Sequence, residues 1–346
     1  MEWLVQMVAA KQIPSITQLE MFKLESALRG NSFSIDGVTL HWGDVLSMYA
    51  DFPAPSVIVS DGAYGLGLFP GDPKTVAGLI DWYRPHVEAW SKHATPETTL
   101  WFWNSELGWA TVHPLLLELG WRYVSCHVWD KGIAHAAGNS NTQTLRKFPV
   151  VTEVCVQYVR DVKIHGLTLK DWLRKEWERS GLALYKSNEA CGVKNAATRK
   201  YLTKDHLWYF PPPDAFEQMA TYANRYGKPT DTPYFSRDGK TPITAREWER
   251  LRAKFYCKPG ITNVWQSPPL NGSERIKAAN KSLHLNQKPL KLIDVILEAS
   301  SDQGDLIWEP FGGLCSVAVS AHRLGRKCVS AELQRDFFDL AVGRFS

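Results

Sequence analysis

Two stretches of the chain carry the same alternation of short apolar runs and amphipathic segments, and about 120 residues of different chemistry lie between them. From about 30 to 160 the runs Val57-Ile58-Val59 and Leu100-Trp101-Phe102-Trp103, with extended stretches at 121–129 and 151–159, alternate with helical pattern such as 79–91. From 282 the pattern returns: a helix over 288–300, the strand Asp305-Leu306-Ile307-Trp308, a glycine turn, a helix over 315–324, the strand Cys328-Val329-Ser330-Ala331 and a closing helix from Leu333. Short β-branched and aromatic runs alternating with helices predict a parallel sheet with crossover helices. Both flanks therefore read as one open α/β sheet interrupted by an insert, which makes the distant ends of the chain meet.

The insert differs in charge as well as pattern. Residues 160–281 hold 23 Lys and Arg against 13 Asp and Glu, and the remainder holds 17 against 23, so the overall +4 hides a basic middle between acidic flanks. Such a block is the footprint expected of a nucleic-acid contact, or else a Lys-rich solvated surface. Within it, 168–179 and 182–191 suit two helices, Gly192 a turn, and 194–201 a third helix. This helix-turn-helix spacing near 182–203 would put Lys194, Asn195, Arg199 and Lys200 on or near a reading helix, the bland alternative being a small helical subdomain. The aromatic piece 207–210 and 216–226 reads as its core.

No run approaches the roughly 18 apolar residues of a membrane helix, and the N-terminus, with Glu2 and Lys11 about a short apolar run, lacks signal-peptide order. A cytoplasmic protein is expected. The six cysteines (126, 155, 191, 257, 315 and 328) never form C-x-x-C, so neither a metal site nor a disulfide frame is indicated, and most are expected to be buried thiols.

Two turns carry candidate chemistry. Asp305 through Gly313 runs strand, tight turn, helix, where glycine admits close backbone approach and a helix N-terminus offers N–H groups. Glu332 ends the next strand 19 residues after Gly313, well placed to accept from ribose hydroxyls. These parts describe a nucleoside-cofactor pocket, or only a turn that packs helix on strand; the G-x-G-x-x-G of dinucleotide enzymes is absent. Upstream, Ser60-Asp61-Gly62-Ala63-Tyr64-Gly65 follows an apolar strand, at the end where open α/β sheets bind substrates. An aromatic there can stack on an extruded base while a carboxylate and a backbone carbonyl accept from its exocyclic amine, localising the nitrogen lone pair for attack on a methyl group. The same letters also make an ordinary turn.

In this order, the segments resemble the S-adenosylmethionine-dependent amino-methyltransferases of DNA, in their β-type permutation. His284 through Leu290 resembles H-P-x-Q-K-P-L, Gly304 through Gly313 resembles G-D-x-V-x-D-P-F-x-G, Leu324-Gly325-Arg326 to Glu332 resembles L-G-R-x-x-x-G-x-E, and Phe337 to Arg344 resembles Y-x-x-x-A-x-x-R. Gly43-Asp44 with Asp61-Gly62-Ala63-Tyr64 resembles G-D…D-P-P-Y, Val128 to Lys131 resembles I-W-x-K, and Thr152-Glu153 resembles H-E-x-I. The likeness covers both flanks and little of 160–281.

It implies a circularly permuted Rossmann-like methyltransferase sheet, with a catalytic half over 1–160, a helical or mixed target-recognition insert over 161–281 and a cofactor half over 282–346. It implies that Asp61 and the Gly62 carbonyl hold the target amine while Tyr64 stacks. S-adenosylmethionine would be held by Gln287, Lys288, Pro289, Glu309, Phe311, Gly313 and Glu332. It implies double-stranded DNA as substrate and leaves a homodimer and a cognate restriction endonuclease open as partners.

Three departures stand out. Gly62 and Ala63 replace the two prolines, which predicts a looser turn; Glu309 replaces an Asp; and Leu314-Cys315 replaces Ser-Gly, which predicts a side chain crowding the cofactor carboxylate. The resemblance implies that Asp61 leans toward adenine N6 over cytosine N4. The alternatives are a DNA-binding homologue without turnover, an RNA or protein-glutamine amino-methyltransferase and, more distantly, a nicotinamide enzyme.

Overall fold

Val57–Ser60 and Thr99–Asn104 are buried at every position, as strands covered on both faces must be. They form β3 and β4 at the centre of a nine-stranded sheet in the computed structural model, which describes residues 30–67, 69, 71–133, 146–270, 275–278, 281–282 and 287–345. The other members are β1 (Ser32–Ile35), β2 (Val38–Trp42), β5 (Trp121–Asp130), β6 (Thr152–Arg160), β9 (Val264–Gln266), β12 (Leu306–Glu309) and β13 (Lys327–Glu332). Their order is β1-β2-β13-β12-β3-β4-β6-β5-β9. Both late strands thus sit inside the sheet: β12 pairs parallel to β3, with Trp308 opposite Ile58, and β13 pairs parallel to β2. The two flanks are one mostly parallel α/β sheet.

Side-chain alternation sorts the core onto two faces. Val57, Val59, Trp101 and Trp103 pack with α8 (Leu290–Ser300), α9 (Ser316–Arg323) and α10 (Arg335–Val342). Ile58, Leu100, Phe102 and Trp308 pack with α1 (Leu79–His93) and α2 (Glu106–Glu118).

The structure corrects the sequence reading in three places. The runs at 121–129 and 151–159 pair antiparallel, β6 lying between β4 and β5. A β1–β2 hairpin, absent from the sequence expectation, turns at Asp36-Gly37, both at positive φ, between alternating apolar residues. Finally, Val264–Gln266 returns from the insert to pair with β5, covering an edge that would otherwise expose unpaired backbone.

The remaining insert has its own core. A short hairpin, β7 (Lys163–Ile164) and β8 (Leu167–Thr168), leads into α3 (Leu169–Arg179), α4 (Lys186–Ala190), α5 (Ala196–Lys200), α6 (Pro213–Tyr226) and α7 (Ala245–Glu249). Trp172, Trp177, Phe216, Phe235 and Trp248 fill it, Phe216 stacking on Trp248 at 4.3 Å between centroids. Of the expected aromatic core piece, Phe216 is buried while Tyr209 and Tyr226 are exposed. A last ribbon pairs β10 (Lys277–Ala278) with β11 (Lys281–Ser282). Among the described residues no helix is long and apolar enough to cross a membrane. Of the cysteines, 155, 315 and 328 are buried, 126 and 191 half-buried and 257 exposed.

Candidate active site

Because β3 and β12 are parallel neighbours, the turns that follow them open at the same edge of the sheet. Between them lies a cavity of about 290 Å³ whose walls include Asp61, Gly62, Trp103, Lys288, Phe311, Gly313 and Glu332. Parts separated by some 250 residues in sequence thus face one hollow.

The turn after β3 lacks the two prolines of the pattern it resembles, yet it is tied down. The Ala63 carbonyl accepts from Tyr83 Oη (3.1 Å) and Asn104 Nδ2 (2.9 Å), and the Asp72 carboxylate accepts from the Gly65 and Leu66 amides at 3.1 and 3.3 Å. A Cβ on Gly62 would lie 2.8 Å from the Phe311 ring and 2.9 Å from Tyr83 Oη. The proline expected at 62 has no room here, so the looser turn expected from sequence is instead braced by its neighbours.

Asp61, half-buried, and Tyr64, buried, sit in one hydrogen-bonded network. Tyr64 Oη donates to Asp61 Oδ1 (2.9 Å) and also lies 3.3 Å from Glu153 Oε2. Lys288 Nζ lies 2.9 Å from Asp61 Oδ1, 3.1 Å from Tyr64 Oη and 3.3 Å from Glu153 Oε2, while Lys131 Nζ lies 2.5 Å from Glu153 Oε1. Burial pushes the Glu153 carboxyl up, but the Lys288 and Lys131 ammoniums outweigh it and hold the group below its usual range. Burial likewise works against the Lys288 charge, and Asp61 and Glu153 more than offset it, so its pKa is raised. Tyr64, buried beside two carboxylates, is pushed well above the ordinary phenol value and keeps its proton. The residue is 9% exposed and is not among the cavity walls, whereas Asp61 is. Lys131 and Glu153 belong to motifs legible in the sequence but received no role there; their proximity depends on β5 and β6 pairing.

On the cofactor side the predicted residues divide. Glu309 spends both carboxylate oxygens within the protein, accepting from the Val317 and Ala318 amides in the first turn of α9 and from Ser330 Oγ. Burial pushes it up to about 7 despite those bonds. Glu309 thus holds the turn to the helix. Glu332 accepts from the Gly313 amide (2.6 Å) and the Gln334 amide (2.7 Å), and its carboxylate lines the cavity with acceptor capacity left for a hydroxyl. Phe311 packs against His86 at 4.8 Å and Trp82 at 5.1 Å, making an aromatic wall. Gln287 lines the cavity, its side-chain oxygen accepting from the Ile276 amide, and Pro289 precedes α8 outside the cavity wall. His284, Leu285 and Asn286 of the same motif lie outside the described residues, as does the N-terminal stretch with Glu2 and Lys11.

The crowding expected at Cys315 does not occur. Cys315 takes the glycine conformation (φ 51°), and its side chain is buried away from the cavity, with Sγ accepting from Ser330 Oγ at 3.3 Å. The backbone follows the glycine path while the thiol turns into the core.

His86 was not anticipated. Its Nδ1 lies 3.1 Å from Tyr49 Oη, which accepts from Trp90 Nε1 at 2.8 Å, and burial lowers the imidazole pKa to about 4. Trp90 thus spends its N–H on the phenol, so the phenol proton is directed at Nδ1 and the ring is neutral.

In the insert, α4 and α5 are five residues each, shorter than the 182–191 and 194–201 expected. Positive φ at Gly192 marks the turn between them, and a Ser187–Thr198 hydroxyl contact at 2.9 Å locks the pair. Lys194 and Asn195 precede α5, Arg199 and Lys200 lie in its last turn, and all four are exposed.

The chain is 24% identical over 175 residues to the Type II methyltransferase M.ScaI of Streptomyces caespitosus, covering 49% of this chain and 52% of that protein. It is 29% identical over 122 residues to the Type II methyltransferase M2.LlaDCHI of Lactococcus lactis subsp. cremoris, covering 33% and 44%. The chain thus spans about half the length of the curated relatives it matches. The solved PvuII DNA methyltransferase (cytosine-N4-specific) shares the fold, at a TM-score of 0.51 and 13% identity over 90% of this chain and 86% of that one. The model of the N6/N4 DNA methylase family matches residues 56–343, from β3 through the insert to α10, and the chain therefore belongs to that family.

Proposed function

We propose that the protein transfers a methyl group from S-adenosylmethionine to an exocyclic amine of a base flipped out of double-stranded DNA, at a defined sequence. Family membership supports this class, and one observation carries the site assignment: the Asp61 turn and the Phe311 turn touch across a single cavity.

The donor supplies an electrophilic methyl group on a sulfonium centre. Glu332 fits a ribose diol, the 311–313 turn brings backbone close, and Phe311, Leu46 and Leu333 offer apolar wall. Asp61 accepts from the target amine together with the Gly62 carbonyl, which draws the nitrogen lone pair out of conjugation and toward the methyl group. The nitrogen forms its N–C bond as the donor's C–S bond breaks, and its surplus proton leaves to Asp61 or water. Gly62 and Phe311 set how closely acceptor and donor sides approach, a distance on which such a displacement depends steeply. Tyr64 is the aromatic assigned to stack on the base, which requires its ring, buried outside the cavity wall here, to be uncovered as the base enters; its hydroxyl is engaged with Asp61.

Asp61 at the head of the turn favours adenine N6 over cytosine N4. Lys194, Asn195, Arg199 and Lys200 form part of the DNA-contacting surface, Lys and Arg neutralising phosphate and Asn reading a base edge. The braced turn and the inward thiol of Cys315 favour an active enzyme over a degenerate DNA-binding homologue. Expression in a host without DNA methylation, followed by single-molecule sequencing of its DNA, tests the proposal. Methylated adenine or cytosine at one recurring site is expected; unmodified DNA, with no labelled methyl incorporated by the purified protein, would overturn it.

A further inference from the structure

Lys288 comes from the cofactor half of the chain, yet its ammonium lies in the amine-acceptor half of the cavity. The side chain is 4% exposed, with Nζ 2.9 Å from Asp61 Oδ1, 3.3 Å from Glu153 Oε2 and 5.4 Å from the ring centre of Trp103, a buried cavity wall. Asp61 Oδ1 is thereby taken twice, by Lys288 and by the Tyr64 hydroxyl. Among the described residues Asp61 Oδ2 has no hydrogen-bond donor, although the residue lines the cavity. Two carboxylates and two ammoniums balance: Asp61 and Glu153 against Lys288 and Lys131.

Resting on the amine-methylation reading, we infer that Lys288 is a positioning residue. By fixing Asp61 Oδ1 it turns Oδ2 to the target amine, and Glu153, held in turn by Lys131, is the counter-ion that keeps Lys288 in place. A carboxylate with neither oxygen held turns over a broad, roughly two-fold torsion, and one whose first oxygen is pinned by an ammonium and a phenol is confined. The cation also offsets the repulsion between Asp61 and the buried Glu153 carboxylate beside it. The Lys of this segment thus acts on the acceptor through Asp61, and does not hold the donor.

The test uses the full chain with Lys288→Met, labelled S-adenosylmethionine and unmethylated duplex DNA. Affinity for S-adenosylmethionine by calorimetry should stay near wild type while kcat falls about a hundredfold, the usual cost of a misplaced acceptor. The acid limb of the pH–rate profile should move up by about one unit, because the Glu153 carboxyl loses the ammonium that does most to hold it down. Adding Glu153→Gln should return that limb toward wild type, and this charge-balanced double variant also guards against a single variant that fails to fold. Loss of S-adenosylmethionine binding would make Lys288 a cofactor ligand and overturn the inference. So would an unchanged kcat, or a fall in kcat with a fixed acid limb. A crystal structure of the Lys288→Met or double variant needs no substrate: Asp61 in a new rotamer supports the inference, and an unmoved carboxylate sinks it. That measurement stands even if the wild-type protein methylates nothing, a result that would defeat the proposed function alone.

Discussion

Gly62 and Phe311 leave no space for a methyl group between them: a Cβ on the glycine would sit 2.8 Å from two atoms of the ring. Gly62→Ala should therefore cost about 1–3 kcal/mol of stability by overpacking, or push Phe311 into the cavity. Thermal unfolding and cofactor titration read the two outcomes. Adding Phe311→Ala should recover part of the lost stability, and strictly additive effects in the double-mutant cycle would mean that the two residues do not compete for this space.

Asp61→Ala removes the proposed acceptor and should lower methyl transfer by about a hundredfold or more, as loss of a charge-stabilising group does. Cofactor binding should be nearly intact, since Glu332 and the 311–313 turn are untouched. Single-turnover transfer with labelled donor measures the first and calorimetry the second. Wild-type transfer by the variant would remove Asp61 from the mechanism.

Arg199 and Lys200 are exposed in the last turn of α5. Substituting both with Ala should weaken DNA binding and reduce the slope of log affinity against log salt by about 2, roughly one per lost phosphate contact. Fluorescence anisotropy across a salt series measures the slope. An unchanged slope would place the DNA contact elsewhere.

His86 gives a pH signature of defined sign. Burial depresses its folded pKa to about 4 from 6.5, so the unfolded chain binds the extra proton between those values. The stability contribution is complete above pH 6.5 and is lost as pH falls toward 4, amounting to on the order of 3 kcal/mol. Glu309, raised from 4.5 to about 7, acts in the opposite sense, losing stability as pH rises through that range. The informative measurement is therefore the difference between wild type and His86→Gln in urea unfolding. That difference should vary between pH 4 and 6.5 and be flat from 7 to 8; a flat difference throughout would mean that the imidazole is not held neutral.

The parts of this molecule that follow from local pattern were legible. The apolar runs of β3 and β4 read as strands of a parallel sheet, and the turn from Glu309 to Gly313 announced itself by its glycines and the helix after it. Less legible was anything that depends on which strands pair. The antiparallel placement of β6 between β4 and β5 is invisible to periodicity, and it is what brings Glu153 to Tyr64 and Lys131. Rotamer direction was equally hidden. Cys315 reads as an obstruction in one dimension, and only its left-handed backbone shows the thiol turned inward.

Hydrophobic pattern and residue order therefore determined the individual central strands, the helices and the two turns proposed to carry the chemistry, because these are set by contacts within a few residues. Tertiary structure alone decided that Phe311 would fill the space of a missing proline and that Lys288 would reach across to Asp61. Those contacts depend on β12 lying beside β3, and distances of a few ångströms between residues some 250 and 227 positions apart are set by packing, which no local pattern encodes.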